Sequence, residues 1–127
     1  MDDRNLIAVA EQAAAPSRVL RGPVEGATIL AADGRTFLGT RLEFEDPSLD
    51  QDALSNGLAA GRVQGMRQVV RAGYYRPVPD GRPRLPREAL LRLRELAAPG
   101  MAVIVSGGTG EFVERPLEEL LAEAGLA

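Results

Sequence analysis

The chain has 127 residues, 45% hydrophobic and 4% aromatic, with 15 basic residues, all arginine, against 18 acidic ones for a net charge of −3. That length suits one domain over residues 1–127, with a core of Leu, Val, Ile and Ala, and the charge balance argues against a nucleic-acid or anionic-membrane partner. The lack of cysteine excludes disulfides and thiolate chemistry; the charged N-terminus (Asp2, Asp3, Arg4, Glu11) and the absence of a run of ~20 apolar residues leave a cytoplasmic protein as the expectation.

Leu6, Ile7, Ala10, Ala13 and Ala14 recur at helical spacing and predict a helix over 4–14, ended by Pro16. Residues 23–30 read as a strand, Asp33-Gly34 as a hairpin turn because both residues tolerate positive φ, and 36–44 as the returning strand. Asp46-Pro47-Ser48 breaks that strand. A helix is predicted over 49–64, with Ser48 as N-cap, Gln51 completing a capping box and Gly65 just past the end. This helix is rich in small residues (Ala53, Gly57, Ala59, Ala60, Gly61), which cost helix stability unless close packing against a sheet or a partner compensates.

Residues 67–75 predict a third strand and 76–86 a Pro-rich loop. Arg87 to Ala98 is a helix carrying Leu90, Leu91, Leu93 and Leu96, stopped by Pro99-Gly100. Met101 to Ser106 is a short buried strand, and a glycine loop leads to a strand at 111–114. Pro116 opens a last helix with Leu117, Leu120, Leu121 and Ala124. The order αββαβαββα suggests a mixed sheet covered by helices on both faces.

Glu25-Gly26-Ala27-Thr28-Ile29-Leu30, Asp33-Gly34, Gly39-Thr40-Arg41-Leu42-Glu43, Asp52-Ala53-Leu54 and Gly65 follow, without a gap, the V-G-A-A-L, D-G, G-x-N-x-E, C-A-E and helix-ending glycine of the small zinc-dependent cytidine deaminases. Arg94-Glu95-Leu96, Val103-Ile104-Val105 and Leu117-Glu118-Glu119-Leu120-Leu121 are similar to that family's closing helix, strand and helix. The resemblance implies a cytidine deaminase-like three-layer α/β fold with about five strands. It also implies a homo-oligomer, dimer or tetramer, assembled through the helices that follow the zinc motifs.

The departures fall on the chemistry. Such enzymes hold zinc through one His or Cys and two Cys, while a nearby Glu moves protons. This chain has neither Cys nor His. The first ligand position holds Asp52 and the proton-shuttle position Leu54. The second motif, P-C-x-x-C, becomes Leu85-Pro86-Arg87-Glu88-Ala89-Leu90. Arg41 replaces the Asn of G-x-N-x-E, and of the ribose-holding residues only Glu43 survives. The reading is therefore a pseudoenzyme without catalytic residues, metal or cofactor, binding a partner or a nucleoside-like small molecule, with Arg41, Glu43 and Asp52 as ligand-binding residues by resemblance. The alternative is an enzyme acting on a nucleoside or related small molecule by non-zinc chemistry in the same pocket.

Other constellations have plainer readings beside the functional one. Glu43, Glu45, Asp46, Asp50 and Asp52 suit a hard cation, but also a solvated turn and a helix's first turn. Ser106-Gly107-Gly108-Thr109-Gly110 resembles a phosphate loop, yet the next helix waits until Pro116, which favours a hairpin. Arg76, Arg82, Arg84 and Arg87 can grip a phosphate or an acidic partner, or lie in solvent. Tyr74-Tyr75 can stack on a base, or be half core and half interface.

Overall fold

The first helix, α1 (Asp3–Ala14), starts where Asp2 accepts the Asn5 N–H at 2.8 Å, and it turns Leu6, Ile7, Ala10, Ala13 and Ala14 inward. The computed structural model describes residues 1–127. Next come β1 (Gly26–Ala31) and β2 (Thr36–Thr40), paired antiparallel with Ala27 opposite Gly39 and Ile29 opposite Phe37. Their turn uses Gly34 at φ 91°, the left-handed region that glycine enters without strain.

The chain continues through α2 (Ala53–Val63), β3 (Val69–Tyr75), α3 (Arg87–Leu96), β4 (Ala97–Ser106), β5 (Val113–Pro116) and α4 (Leu117–Glu123). The five strands form one sheet in the order β2-β1-β3-β4-β5. Only β3 and β4 run parallel, because α3 carries the chain across between them. The sheet is mixed, with helices on both faces, as the element order implies.

Strand alternation sorts side chains to the two faces. On one, Leu6 and Ile7 of α1 pack with Ile104 and Leu30, and Thr28 donates to the Leu6 carbonyl at 3.0 Å. On the other, Ala27, Ile29, Val103 and Val105 join Leu54 and Leu58 of α2, Leu90 and Leu93 of α3, and Leu117, Leu120 and Leu121 of α4. The helices lie very close to the sheet. A Cβ on Gly26 would stand 1.9 Å from the Ala10 carbonyl oxygen, and one on Gly39 would stand 1.9 Å from that of Ala53.

That contact explains the small residues of α2. Gly57 faces Ile29 and Gly39, and Gly61 faces Met66 and Phe37, all within the same chain. Ala59, Ala60 and Val63 remain exposed. The glycines therefore serve helix-on-sheet packing, and only the outer face of α2 is free for another subunit.

Several element boundaries differ from the sequence expectation. The strands expected over 23–30 and 67–75 start at Gly26 and Val69, and the one expected over 111–114 lies at Val113–Pro116. Three further differences have a clear cause. The helix expected over 49–64 begins at Ala53, capped by Asp52 rather than Ser48. Leu42 and Gln51 exchange backbone hydrogen bonds of 3.0 and 2.8 Å, which draws Gln51 out of any helix. Ser48 instead sits in a short 3-10 turn, Pro47–Leu49, capped by Asp46. The strand expected over 36–44 ends at Thr40, since Leu42 bridges Arg18 and Gln51. Finally, β4 starts at Ala97 and not Met101: Ala97 pairs with Val69, and Gly100 at φ 78° absorbs the register shift that follows. No helix is long and apolar enough to cross a membrane.

Candidate functional site

The N-terminal ends of α2 and α3 meet beside the end of β2, and a cleft of about 940 Å³ opens there, lined among others by Arg41, Asp52, Ser55, Arg76, Arg84 and Arg92. Asp52 belongs to the α2 cap. Its carboxylate accepts the Ser55 N–H at 2.8 Å and the Ser55 hydroxyl at 2.7 Å. Arg92 reaches across from α3 to donate to Ser55 Oγ at 2.7 Å and stands 3.8 Å from Asp52.

Beneath the cleft lies Glu25, fully buried. Burying an unpaired carboxylate is costly, and each of its oxygens is met. Oε1 accepts the Ala53 N–H at 2.7 Å, the first amide of α2, and Oε2 accepts the Tyr74 hydroxyl. Arg41 Nη1 and Arg76 Nε stand 3.9 and 3.8 Å away. Burial and the adjoining Glu25 charge push the Tyr74 hydroxyl well above the usual tyrosine range, so it acts as a donor.

Glu43 is also buried. Its Oε1 accepts backbone N–H groups from Leu20 and Arg21 at 2.7 Å each and from Gly22 at 3.4 Å, and its Oε2 accepts Arg41 Nε at 2.8 Å. Burial alone would raise its pKa. The Arg41 guanidinium and the backbone donors outweigh burial and hold the carboxyl at about 2. Arg41 in turn stays charged: burial pulls against the cation, but Glu43, Glu25 and Asp50 more than compensate. Both Asp50 oxygens take Arg21 at 2.7 Å, and one also takes the Phe44 N–H at 2.9 Å.

Arg41, Glu43 and Asp52 are thus brought to one region but differ in access. Arg41 and Asp52 line the cleft, whereas Glu43 lies behind Arg41 with its oxygens engaged. In the acidic run, Asp46 and Asp52 act as caps and Asp50 pairs with Arg21, and no three carboxylates converge tightly enough to hold a metal ion. The 106–110 segment joins the antiparallel strands β4 and β5, so it is a hairpin connection. Arg76 and Arg84 line the cleft, while Arg82 lines a different hollow beside Thr109 and Arg115. Tyr74 is fully buried, with its ring in the core, and Tyr75 is half-buried.

With Pro86 at the proline of the second motif, the two cysteine positions hold Arg87, exposed, and Leu90, buried in the main core. Leu54, at the proton-shuttle position, is buried in the same cluster. Asp52 alone has a ligand-type oxygen, and its oxygens serve Ser55. A zinc site needs about three N, S or carboxylate ligands with an open position; these residues do not fit the metal.

Glu25 and Arg92 escape a reading by motif. A charged residue at the start of an otherwise apolar strand was the available signal for Glu25; Arg92 looks like any polar residue on an amphipathic helix.

No family model matches the sequence, and no curated protein matches it. Solved structures do resemble the fold. The cytidine deaminase from Burkholderia pseudomallei superposes with a TM-score of 0.86 at 19% identity, over 94% of this chain and 96% of that one. Cytidine deaminase from Mycobacterium leprae gives 0.79 at 19% identity over 95% and 98%. That from Mycobacterium tuberculosis gives 0.74 at 22% identity over 95% and 94%. At these identities the likeness establishes the fold: this chain has the cytidine deaminase fold over nearly its whole length.

Proposed function

We propose that this protein is a non-deaminating version of the cytidine deaminase fold, a homo-oligomer that binds a small molecule in the cleft between α2 and α3. One observation carries the reading. The positions that would hold zinc and move protons are occupied by a helix-capping aspartate whose oxygens are engaged, Asp52, and by core leucines, Leu54 and Leu90. Deamination needs a hydroxide at neutral pH, supplied by a metal or a strong general base, and neither Leu54 nor Leu90 can provide or accept a proton. The cleft itself stays open and polar, with Arg41 and Asp52 on its walls, which favours binding over a filled, purely structural pocket.

The fold and the outer face of α2 support self-association. Ala60 is exposed there and Val63 is 81% exposed. Closed symmetric dimers or tetramers are the usual way to cover such a face.

The test is direct. Purified protein should hold no stoichiometric zinc by elemental analysis and should form no uridine from cytidine above a buffer control. About one zinc per chain, or sustained uridine formation, would refute the non-deaminating reading. A monomer mass in light scattering at micromolar concentration would refute the oligomer.

A further inference from the structure

The cleft contains more unused hydrogen-bond donors than acceptors. Five arginines and three carboxylates line it. Two of those carboxylates are engaged inside the protein, Asp50 with Arg21 and the Phe44 N–H, and Asp52 with Ser55. The third, Glu88, is exposed in the first turn of α3. Below the cleft, Glu25 and Glu43 already accept bonds on both oxygens.

Among the arginines, Arg92 donates to Ser55 and Arg62 to the Met66 carbonyl, but the other three are in a different state. Arg84 is exposed and meets no acid. Arg76 comes no nearer to a carboxylate than 3.8 Å, and its buried Nε has no hydrogen-bond partner. Arg41 commits only Nε, with Nη1 and Nη2 at 3.9 and 3.7 Å from Glu25 and Asp50. Helix α3 opens on the same cleft at Pro86 without a side-chain cap, so its positive end adds to the field.

We propose that the cleft binds its small molecule through an oxyanion, a phosphate or a carboxylate, gripped by Arg76 and Arg84 with Arg41 behind them. The proposal rests on the small-molecule part of the function argued above. Guanidinium groups present paired N–H donors that match two oxygens of an oxyanion. An uncharged ligand would leave most of these donors to water. A cationic ligand would face five guanidiniums with one uncommitted carboxylate, Glu88, in its favour.

Isothermal titration calorimetry at matched ionic strength tests this with inorganic phosphate, pyrophosphate and malonate, and with cytidine as an uncharged probe. One of the oxyanions should saturate a single site per chain, and its affinity should fall about tenfold in Arg84→Gln and in Arg76→Gln. Preference for phosphate or for malonate identifies which oxyanion the site was built for. Arg84→Gln alters an exposed side chain without partners, so it remains informative even if Arg76→Gln, beside the buried Glu25, fails to fold. The proposal is overturned if no oxyanion saturates, or if Arg84→Gln binds as the wild type does. Cytidine binding without oxyanion binding would sink the oxyanion site and leave the binding function standing. Binding of neither class would remove both.

Discussion

Glu43 offers the sharpest test of how the cleft is built, because its expected behaviour as a structural group and as a free ligand-binding carboxylate are opposite. Its oxygens hold the backbone of Leu20, Arg21 and Gly22 and the guanidinium of Arg41. The drop in its pKa from 4.5 to about 2 corresponds to about 3 kcal/mol of stability at neutral pH. Arg41 keeps 14% of its side chain exposed, and screening there reduces the figure to about 2–3 kcal/mol. In Glu43→Gln the amide oxygen can still accept from Leu20 and Arg21, but the amide nitrogen then confronts Arg41 Nε, donor against donor.

The sign follows from the depressed pKa. The contribution is fully present above the unfolded value of 4.5 and is lost as pH falls through about 2. Urea unfolding followed by circular dichroism should show Glu43→Gln less stable by about 2–3 kcal/mol at neutral pH. That difference should shrink steadily between pH 4.5 and 2. Carbon-detected NMR titration of the Glu43 carboxyl gives an independent reading of the same number. A carboxyl that titrates near 4.5, or a stability gap that does not change on acidification, would refute the account of Glu43 as the anchor of the 20–22 segment.

Gly39→Ala should cost at least about 3 kcal/mol or abolish soluble expression, since the new Cβ would lie 1.9 Å from the Ala53 carbonyl oxygen and 2.4 Å from the Gly57 nitrogen; thermal unfolding checks it. Tyr74→Phe should destabilise by about 1–3 kcal/mol by removing the hydroxyl that donates to buried Glu25, and in the wild type the difference absorbance of alkaline titration should show this tyrosine ionising well after a free one. Ala60→Arg, on the exposed face of α2, should lower the mass seen by light scattering while leaving the circular dichroism spectrum unchanged.

Much of the fold was legible in the sequence because its elements are set by local patterns. The apolar stripe from Leu6 to Ala14, the Asp33-Gly34 turn and the leucines of α3 each specify their element within a few residues. What the sequence hid depends on contacts distant along the chain. Ser48 with Gln51 satisfies every local rule for a helix start, yet the pairing of Gln51 with Leu42 overrides it. The strand from Ala97 needs Val69 as its neighbour before Pro99 and Gly100 stop looking like a terminator. In the site, motif register singled out Arg41, Glu43 and Asp52. It carried no information that Glu43 would turn away from the cleft, or that Glu25, 28 residues before Ala53, would cap α2 from below.

The two helix ends that open on the cleft are met by different charge. Each exposes backbone N–H groups and the positive end of a dipole, and each attracts negative charge. At α2 the protein supplies that charge itself, with the Asp52 side chain from the rim and Glu25 from beneath. These two carboxylates also draw in Arg92, Arg41 and Arg76. At α3 the chain supplies less: Pro86 offers no capping side chain, the first turn carries only the exposed Glu88, and neighbouring Arg84 has no partner. An oxyanion in the cleft therefore meets an uncapped helix end and the unpaired Arg84 at α3, whereas at α2 the Asp52 and Glu25 carboxylates already occupy the helix end.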